Sequence, residues 1–191
     1  MVRRLFELAQ AGAPRATLAV RLERALDGGR THAAVGRITE LRDALAPVGM
    51  IAITAQFRGG AVVHQPIVRK LDWLGALDLP IAVCDLAVSG PSSFAAANNL
   101  ETVLRVLFAH KAVSGVWFGP ITSRYVREPN AAMIDHNGES TAVGLRLEQL
   151  VRHHWWTSLS RMADSRGGVD ARVFAGLYDL HATLPDGSTA S

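Results

Sequence analysis

Cysteine is almost missing from this chain. Cys84 is the single one in 191 residues, which excludes an internal disulfide and any zinc site built on several thiolates. Charge of one sign is also scarce. Twenty Lys and Arg against seventeen Asp and Glu leave a formal +3. Apart from Arg3-Arg4 the arginines are scattered, so no basic stripe exists to follow a phosphate backbone. Long apolar runs are absent as well: Arg, Asp or Gly breaks each one short of the ~18 residues a membrane-spanning helix needs. Glu7 and Gln10 interrupt the apolar stretch that a signal peptide requires after its basic head, so a cytoplasmic location is the expectation if Met1 is the true start. No phosphate loop, dinucleotide glycine fingerprint or HExxH pair occurs, and the seven histidines form no ligand set by spacing. The sequence therefore predicts no cofactor, no metal, and neither nucleic acid nor membrane as partner.

What is present is a rhythm. With 49% hydrophobic residues, the chain carries enough apolar surface for one domain that buries roughly 70% of its unfolded surface. An opening helix places Leu5, Leu8 and Ala9 on one face before Gly12 and Pro14. Ala16–Val20 follows as a buried strand, then a helix from about Ala33 to Ala46 with Val35, Ile38, Leu41 and Leu45 on one stripe. Met50–Ala55, Pro80–Cys84 and Val113–Phe118 are further apolar strands. Between them lie a helix opened by Pro66 and a second, opened by an apparent capping pair Asn98 and Glu101. Thr141–His154 closes the series as a helix. Strands apolar on both faces and separated by helices predict a parallel sheet with right-handed crossovers. The tail differs, being richer in Ser, Gly and Asp. Ala171–Phe174 and Tyr178–His181 pattern as a hairpin, with turns at Gly167-Gly168 and Pro185-Asp186-Gly187. The expected division is 1–156 for the α/β part and 157–191 for a hairpin and tail packed on it.

Few residues stand out chemically. His153 and His154 are adjacent and point ~100° apart on a helix, so they suit the C-terminal dipole rather than a shared metal. Trp155-Trp156 reads either as core or as a platform for a sugar ring. Cys84, in an apolar strand, is expected to be a buried and inert thiol. Asp85 ends that strand, where parallel α/β folds gather their active sites, which makes it a candidate functional residue.

Leu77-Asp78-Leu79-Pro80-Ile81-Ala82-Val83-Cys84-Asp85-Leu86-Ala87-Val88 resembles the Leu-Gly-Leu-Pro-Ile-Trp-Val-Thr-Glu-Leu-Asp-Val landmark of glycoside hydrolase family 10, the endo-xylanases. Further stretches resemble that family in order: Phe6–Ala9 with Pro14–Leu18, Pro47–Phe57, Val106–His110, Ala112–Val116 and Pro129–Gly138. Trp155–Thr157 and Phe174–Tyr178 are similar to a hairpin that some members carry after the barrel. The likeness runs from about Leu5 to Gly187. It implies an α/β fold, half of a TIM (β/α)8 barrel comprising strands five to eight, with a small C-terminal β-hairpin. The strand that bears the family's acid/base glutamate is not among these four.

Site positions depart from the family where scaffold positions agree. The nucleophilic glutamate falls on Asp85, the only catalytic residue the resemblance implies. The family's Gln and His fall on Thr54 and Gln56, and its Asn-Asp-Tyr falls on Arg21-Leu22-Glu23. Thr54, Gln56, Arg21 and Glu23 are therefore the implied substrate-binding positions. Its loop Trp-Gly-Phe-Trp falls on Gly119-Pro120-Ile121-Thr122, and Trp117 is expected to be a buried strand residue. Retaining hydrolysis needs two carboxyl groups ~5–5.5 Å apart, and Asp85 lacks an identified partner, since Glu23 reads better as a solvated strand-end charge. The expectation is a truncated xylanase-type protein of impaired or no activity. Two alternatives remain: a working retaining β-glycosidase whose acid comes from another chain, or a non-enzymatic assembly or sugar-binding module. Xylan or xylo-oligosaccharide is the implied ligand. Free sheet edges, with Leu18, Val20, Ile51, Ile53, Ile81, Val83, Val116 and Phe118 expected to include an exposed barrel lining, predict self-association or a complementary half-barrel chain.

Overall fold

In the computed structural model, residues 2–184 and 187–190 are described. The chain divides into two compact units, Met1–Glu148 and Gln149–Ser191, against an expected boundary after residue 156. The first unit holds α1 (Val2–Gly12), β1 (Ala19–Glu23), α2 (Thr31–Asp43), β2 (Met50–Phe57), α3 (His64–Gly75), β3 (Ile81–Val88), α4 (Ser93–Ala109) and β4 (Val113–Phe118). After a 3-10 turn at Pro129–Ala131, the helix α5 (Ala142–Gln149) ends this unit. The strands form one sheet in the order β1-β2-β3-β4, every neighbouring pair parallel.

The register decides which residues share a face. Ile51 pairs with Ile81, Ile53 with Val83, and Val83 with Val116. The four β2 and β3 residues among these are fully buried. They are not a barrel lining left open. They lie on the face that the crossover helices cover, because each β-α-β crossover lays its helix on one side of the sheet. Helix α4 presents Leu100, Val103, Leu104 and Leu107 at three-to-four spacing, all buried, and packs against β3 and β4. Helix α3 buries Ile67, Leu71 and Leu74 in the same way. The opposite face carries the alternate residues: Ala52, Thr54 and Gln56 on β2, Ala82 and Cys84 on β3, Gly115 and Trp117 on β4. Among the described residues of β2–β4, that face carries small and polar side chains with one exposed aromatic, Trp117, so the expected patch of aliphatic side chains is not found on it.

Several elements depart from their expected bounds. Strand β1 begins at Ala19, three residues late, because the chain is still turning where Ala16 N–H donates to Ala13 O. Helix α4 starts much earlier than Asn98: Ser92 is its cap, the hydroxyl accepting from Ala95 N–H at 3.1 Å. Asn98 is a mid-helix residue, and its side chain accepts from Arg146. Helix α2 stops at Asp43, so Leu45 takes a left-handed φ of 58° and points outward rather than joining the stripe. No residue of α1 is buried; its apolar face, Leu5 and Leu8 included, lies exposed.

In the second unit, a π-helical turn spans Leu150–His154, with His153 and His154 exposed at its end. Trp156 is exposed rather than core. The hairpin forms from Ala182–Thr183 and Thr189–Ala190, not from 171–181, where no strand occurs. The residues of 171–181 are all exposed, and alternation alone does not make a strand without an apolar surface to cover. Of the expected turns, Gly167 adopts a positive φ, while Pro185 and Asp186 lie outside the described residues.

One ionic cluster ties α4 to α5. Glu101 accepts from Arg105 at 2.8 Å and from Arg146. Burial pushes the Glu101 carboxyl up, but the two guanidinium groups outweigh it and hold the carboxyl below its ordinary range. A folded-state value below the unfolded one stabilises the fold above the ordinary glutamate range, and this contribution is lost as pH falls through the folded value. Wild type is expected to exceed Glu101→Gln in urea midpoint at neutral pH, with the gap closing as the pH falls below the ordinary glutamate range and through the lowered folded-state value.

Candidate functional site at the C-terminal end of the sheet

Four of the five implied site positions lie in the exit half of their strands, and Arg21 is the middle residue of its own. Arg21 and Glu23 are the third and last residues of β1, Thr54 and Gln56 lie near the end of β2, and Asp85 lies in β3. Glu23 pairs in register with Thr54, and Thr54 with Cys84. Gln56, in turn, pairs with Ala87, so three β3 residues oppose two on β2. The same count holds against β4, where Val83 pairs with Val116 and Leu86 with Phe118. The extra residue is a β-bulge. Asp85 takes a φ of 51° there, a left-handed conformation that Asp tolerates better than most residues.

The bulge has two consequences. It preserves burial beyond Asp85: Leu86 and Val88 return to the helix-covered side although their parity with Ile81 and Val83 is reversed. It also lifts the Asp85 carboxylate out of the pleat, the re-aiming for which bulges beside active sites are known. Asp85 was expected to end its strand; the strand continues three residues further because the bulge absorbs the change of direction.

Arg21 reaches across β2 to this carboxylate. Its guanidinium donates to Asp85 Oδ2 at 3.2 Å, although β1 and β3 stand roughly 10 Å apart at ordinary strand spacing. Both side chains are more than half exposed, 61% and 53%, so the pair contributes at most about 1 kcal/mol and a competing polar ligand can separate it. Gln56 accepts at Oε1 from Arg58 at 2.7 Å, and Arg58 lies 4.0 Å from Glu128. Thr54 is buried, and its carbonyl accepts from Arg24 N–H. Glu23 is exposed at the end of β1. The structure thus joins Arg21 to Asp85 directly and aligns Glu23, Thr54 and Gln56 along the same end.

Two residues differ from expectation. Cys84 is half-buried rather than buried, because it faces the side without helices. Trp117 is 56% exposed and lies back over Gly115, where a Cβ would come within 2.6 Å of the indole ring. Glycine at 115 leaves the room that the benzene edge of the indole occupies. Strand periodicity alone held the signal, since Trp117 and Gly115 alternate with Val116. The ring offers an apolar face on the same side of the sheet as Thr54 and Gln56, a geometry suited to stacking on a sugar.

Comparison with known proteins places this arrangement. No family model matches the chain. Endo-1,4-beta-xylanase 1 of Arabidopsis thaliana is 28% identical over 152 residues, 80% of this chain and 16% of that protein. Endo-1,4-beta-xylanase 2 of the same plant is 30% identical over 142 residues, 74% of this chain and 13% of its own length. The crystal structure of xylanase 10B from Thermotoga petrophila in complex with xylobiose superposes with a TM-score of 0.70, at 16% identity, covering 80% of this chain and 51% of that one. This chain corresponds to part of a family 10 xylanase domain. It spans about half of the solved xylanase chains and less than a fifth of the curated relatives. The four-stranded parallel sheet with its helices matches half of their TIM-type barrel, and the chain also carries a small antiparallel hairpin.

Proposed function

We propose that this chain is a xylanase-type carbohydrate-interacting domain in which retaining hydrolysis is impaired. The observation that carries this reading is the Arg21–Asp85 pair. The Arg21 guanidinium offsets the charge of the carboxylate at the implied nucleophile position, and it has to be displaced before that carboxylate can attack. The aspartate is also one methylene shorter than glutamate, which sets its oxygens back by on the order of 1 Å, a displacement that can cost ~10²-fold in rate. Binding is a milder demand than catalysis. Trp117, Gln56 and the separable Arg21–Asp85 pair supply a ring platform and hydrogen-bonding groups for an oligosaccharide, the usual composition of a sugar site. The solved neighbours include xylanases in complex with xylobiose and xylotriose, which makes xylo-oligosaccharides the ligands to test.

Association completes this reading. Among the described residues, the edges of β1 and β4 each lack a neighbouring strand in the sheet, and unpaired edges favour pairing with further strands. A second copy related by a twofold axis would set β4 of one beside β1 of the other, all strands parallel. A complementary half-barrel chain is the other source of four strands. The decisive experiment is titration of the full chain with xylotriose, followed by calorimetry and by sedimentation. A saturable interaction weakened about tenfold by Trp117→Ala, a loss of roughly 1.4 kcal/mol, is the expected result. No heat and no shift in a folded chain would remove the carbohydrate reading.

A further inference from the structure

Gln56 is exposed on the helix-free face of the sheet, and one end of its amide is already engaged. Arg58 Nη2 donates to its Oε1 at 2.7 Å. A guanidinium carries donors and no acceptor, so the amide oxygen turns toward Arg58 and the amide nitrogen away from it. Nε2, with its two N–H donors, meets no hydrogen-bond partner among the described residues. Arg58 holds this orientation because its backbone is fixed on both sides. Before it, Phe57 O accepts from Ser89 N–H at 2.8 Å. After it, Gly59 turns the chain at a φ of 91°, a conformation that favours glycine. Beyond the turn, the buried Asn99 of α4 accepts from Val62 N–H at 2.9 Å and donates to Gly60 O and Ser89 O at 3.0 Å each. One side chain thus ties the loop after β2 to the loop after β3. Glu128, 4.0 Å from Arg58 Nε, adds a weaker restraint on the guanidinium itself.

We propose that Gln56 is a fixed hydrogen-bond donor of this face, with Arg58 as its positioning residue, and that the ligand atom meeting it is an acceptor oxygen of a xylo-oligosaccharide. This rests on the carbohydrate reading above and names the polarity of one contact within it. A free glutamine turns either end of its amide to a ligand and so pairs with donors and acceptors alike. Arg58 removes that choice before the ligand arrives, which lowers the ordering cost of binding. Selectivity follows from the same constraint. A ligand that presents only a donor at this point leaves donor facing donor, an arrangement that rejects it.

The test is calorimetric titration of the full chain and its variants with xylotriose. Gln56→Glu keeps the shape of the side chain and its contact with Arg58 but removes both donors. It is expected to weaken xylotriose about tenfold, the scale of one lost hydrogen bond. An affinity equal to wild type, or tighter, would overturn the proposal, because Gln56 would then accept from the ligand or not touch it. Arg58→Met should weaken binding several-fold, and Arg58→Lys, which keeps a donor, should recover most of that loss. Arg58→Met binding as tightly as wild type, or Arg58→Lys as weakly as Arg58→Met, would overturn the role of Arg58. NMR relaxation of the Gln56 side-chain amide reads the orientation in the ligand-free chain. The group is expected to be ordered in wild type and mobile in Arg58→Met; equal mobility in the two would overturn the proposal. An ordered amide in a wild-type chain that binds no xylotriose would remove the carbohydrate reading, and the ligand assignment with it, while the positioning of Gln56 by Arg58 stands.

Discussion

Incubated with soluble xylan, the chain is expected to release no more reducing sugar than a buffer blank. Two deficits multiply. The shortened and paired Asp85 costs ~10²-fold through misplacement, and loss of a positioned proton donor costs a further ~10²–10⁴-fold. Together they remove on the order of 10⁴–10⁶ in rate, enough to bring xylan turnover below detection. Restoring the nucleophile alone is not expected to rescue it: Asp85→Glu with Arg21→Asn repairs the first deficit and leaves the second. Sugar release well above the blank, abolished by Asp85→Ala, would contradict this and would show that a proton donor reaches Asp85 after all. The most informative companion to Asp85 is Glu23, exposed at the end of β1; Glu23→Gln would identify it as the donor if activity were found and then lost.

The second large effect concerns stability. Gly144 lies in α5, where an added Cβ would come within 2.3 Å of Met133 O and 3.1 Å of Met133 C. Both contacts are backbone. Met133 O is already engaged by Thr141 N–H at 2.9 Å, and Thr141 also accepts from Gly144 N–H and donates to Ala132 O. The neighbour therefore cannot move without breaking the turn that starts the helix. Glycine to alanine inside a helix ordinarily gains up to about 1 kcal/mol from propensity. Here overpacking against a fixed carbonyl, worth about 3 kcal/mol, exceeds that gain. The Gly144→Ala variant is expected to melt roughly 4–8 °C below wild type, at ~2–4 °C per kcal/mol for a chain of this size. Calorimetry checks it, and a melting temperature equal to or above wild type would mean that the turn yields.

The sequence by itself determined the alternation of strands and helices, because continuous apolar runs such as Ile81–Val83 and a three-to-four stripe such as Leu100, Val103, Leu104 and Leu107 have one economical reading each. It also determined that Asp85 belongs at the exit side of its strand, through the motif around it. Three things were decided only by the tertiary structure. Which face of the sheet the helices cover depends on crossover geometry, and a strand apolar on both sides carries no mark of it; hence Ile51, Ile53, Ile81 and Val83 proved to be core, and the uncovered side proved to hold Trp117 among small and polar residues. The bulge at Asp85 depends on registers with two neighbouring strands at once, and no local pattern encodes a residue count shared between separate strands. Contacts between distant positions, Arg21 with Asp85 across 64 residues and Lys70 with the Asp27 loop across more than 40, exist only because parallel strands bring their exit ends together. Local propensity sets what each segment is; long-range pairing sets which charges meet.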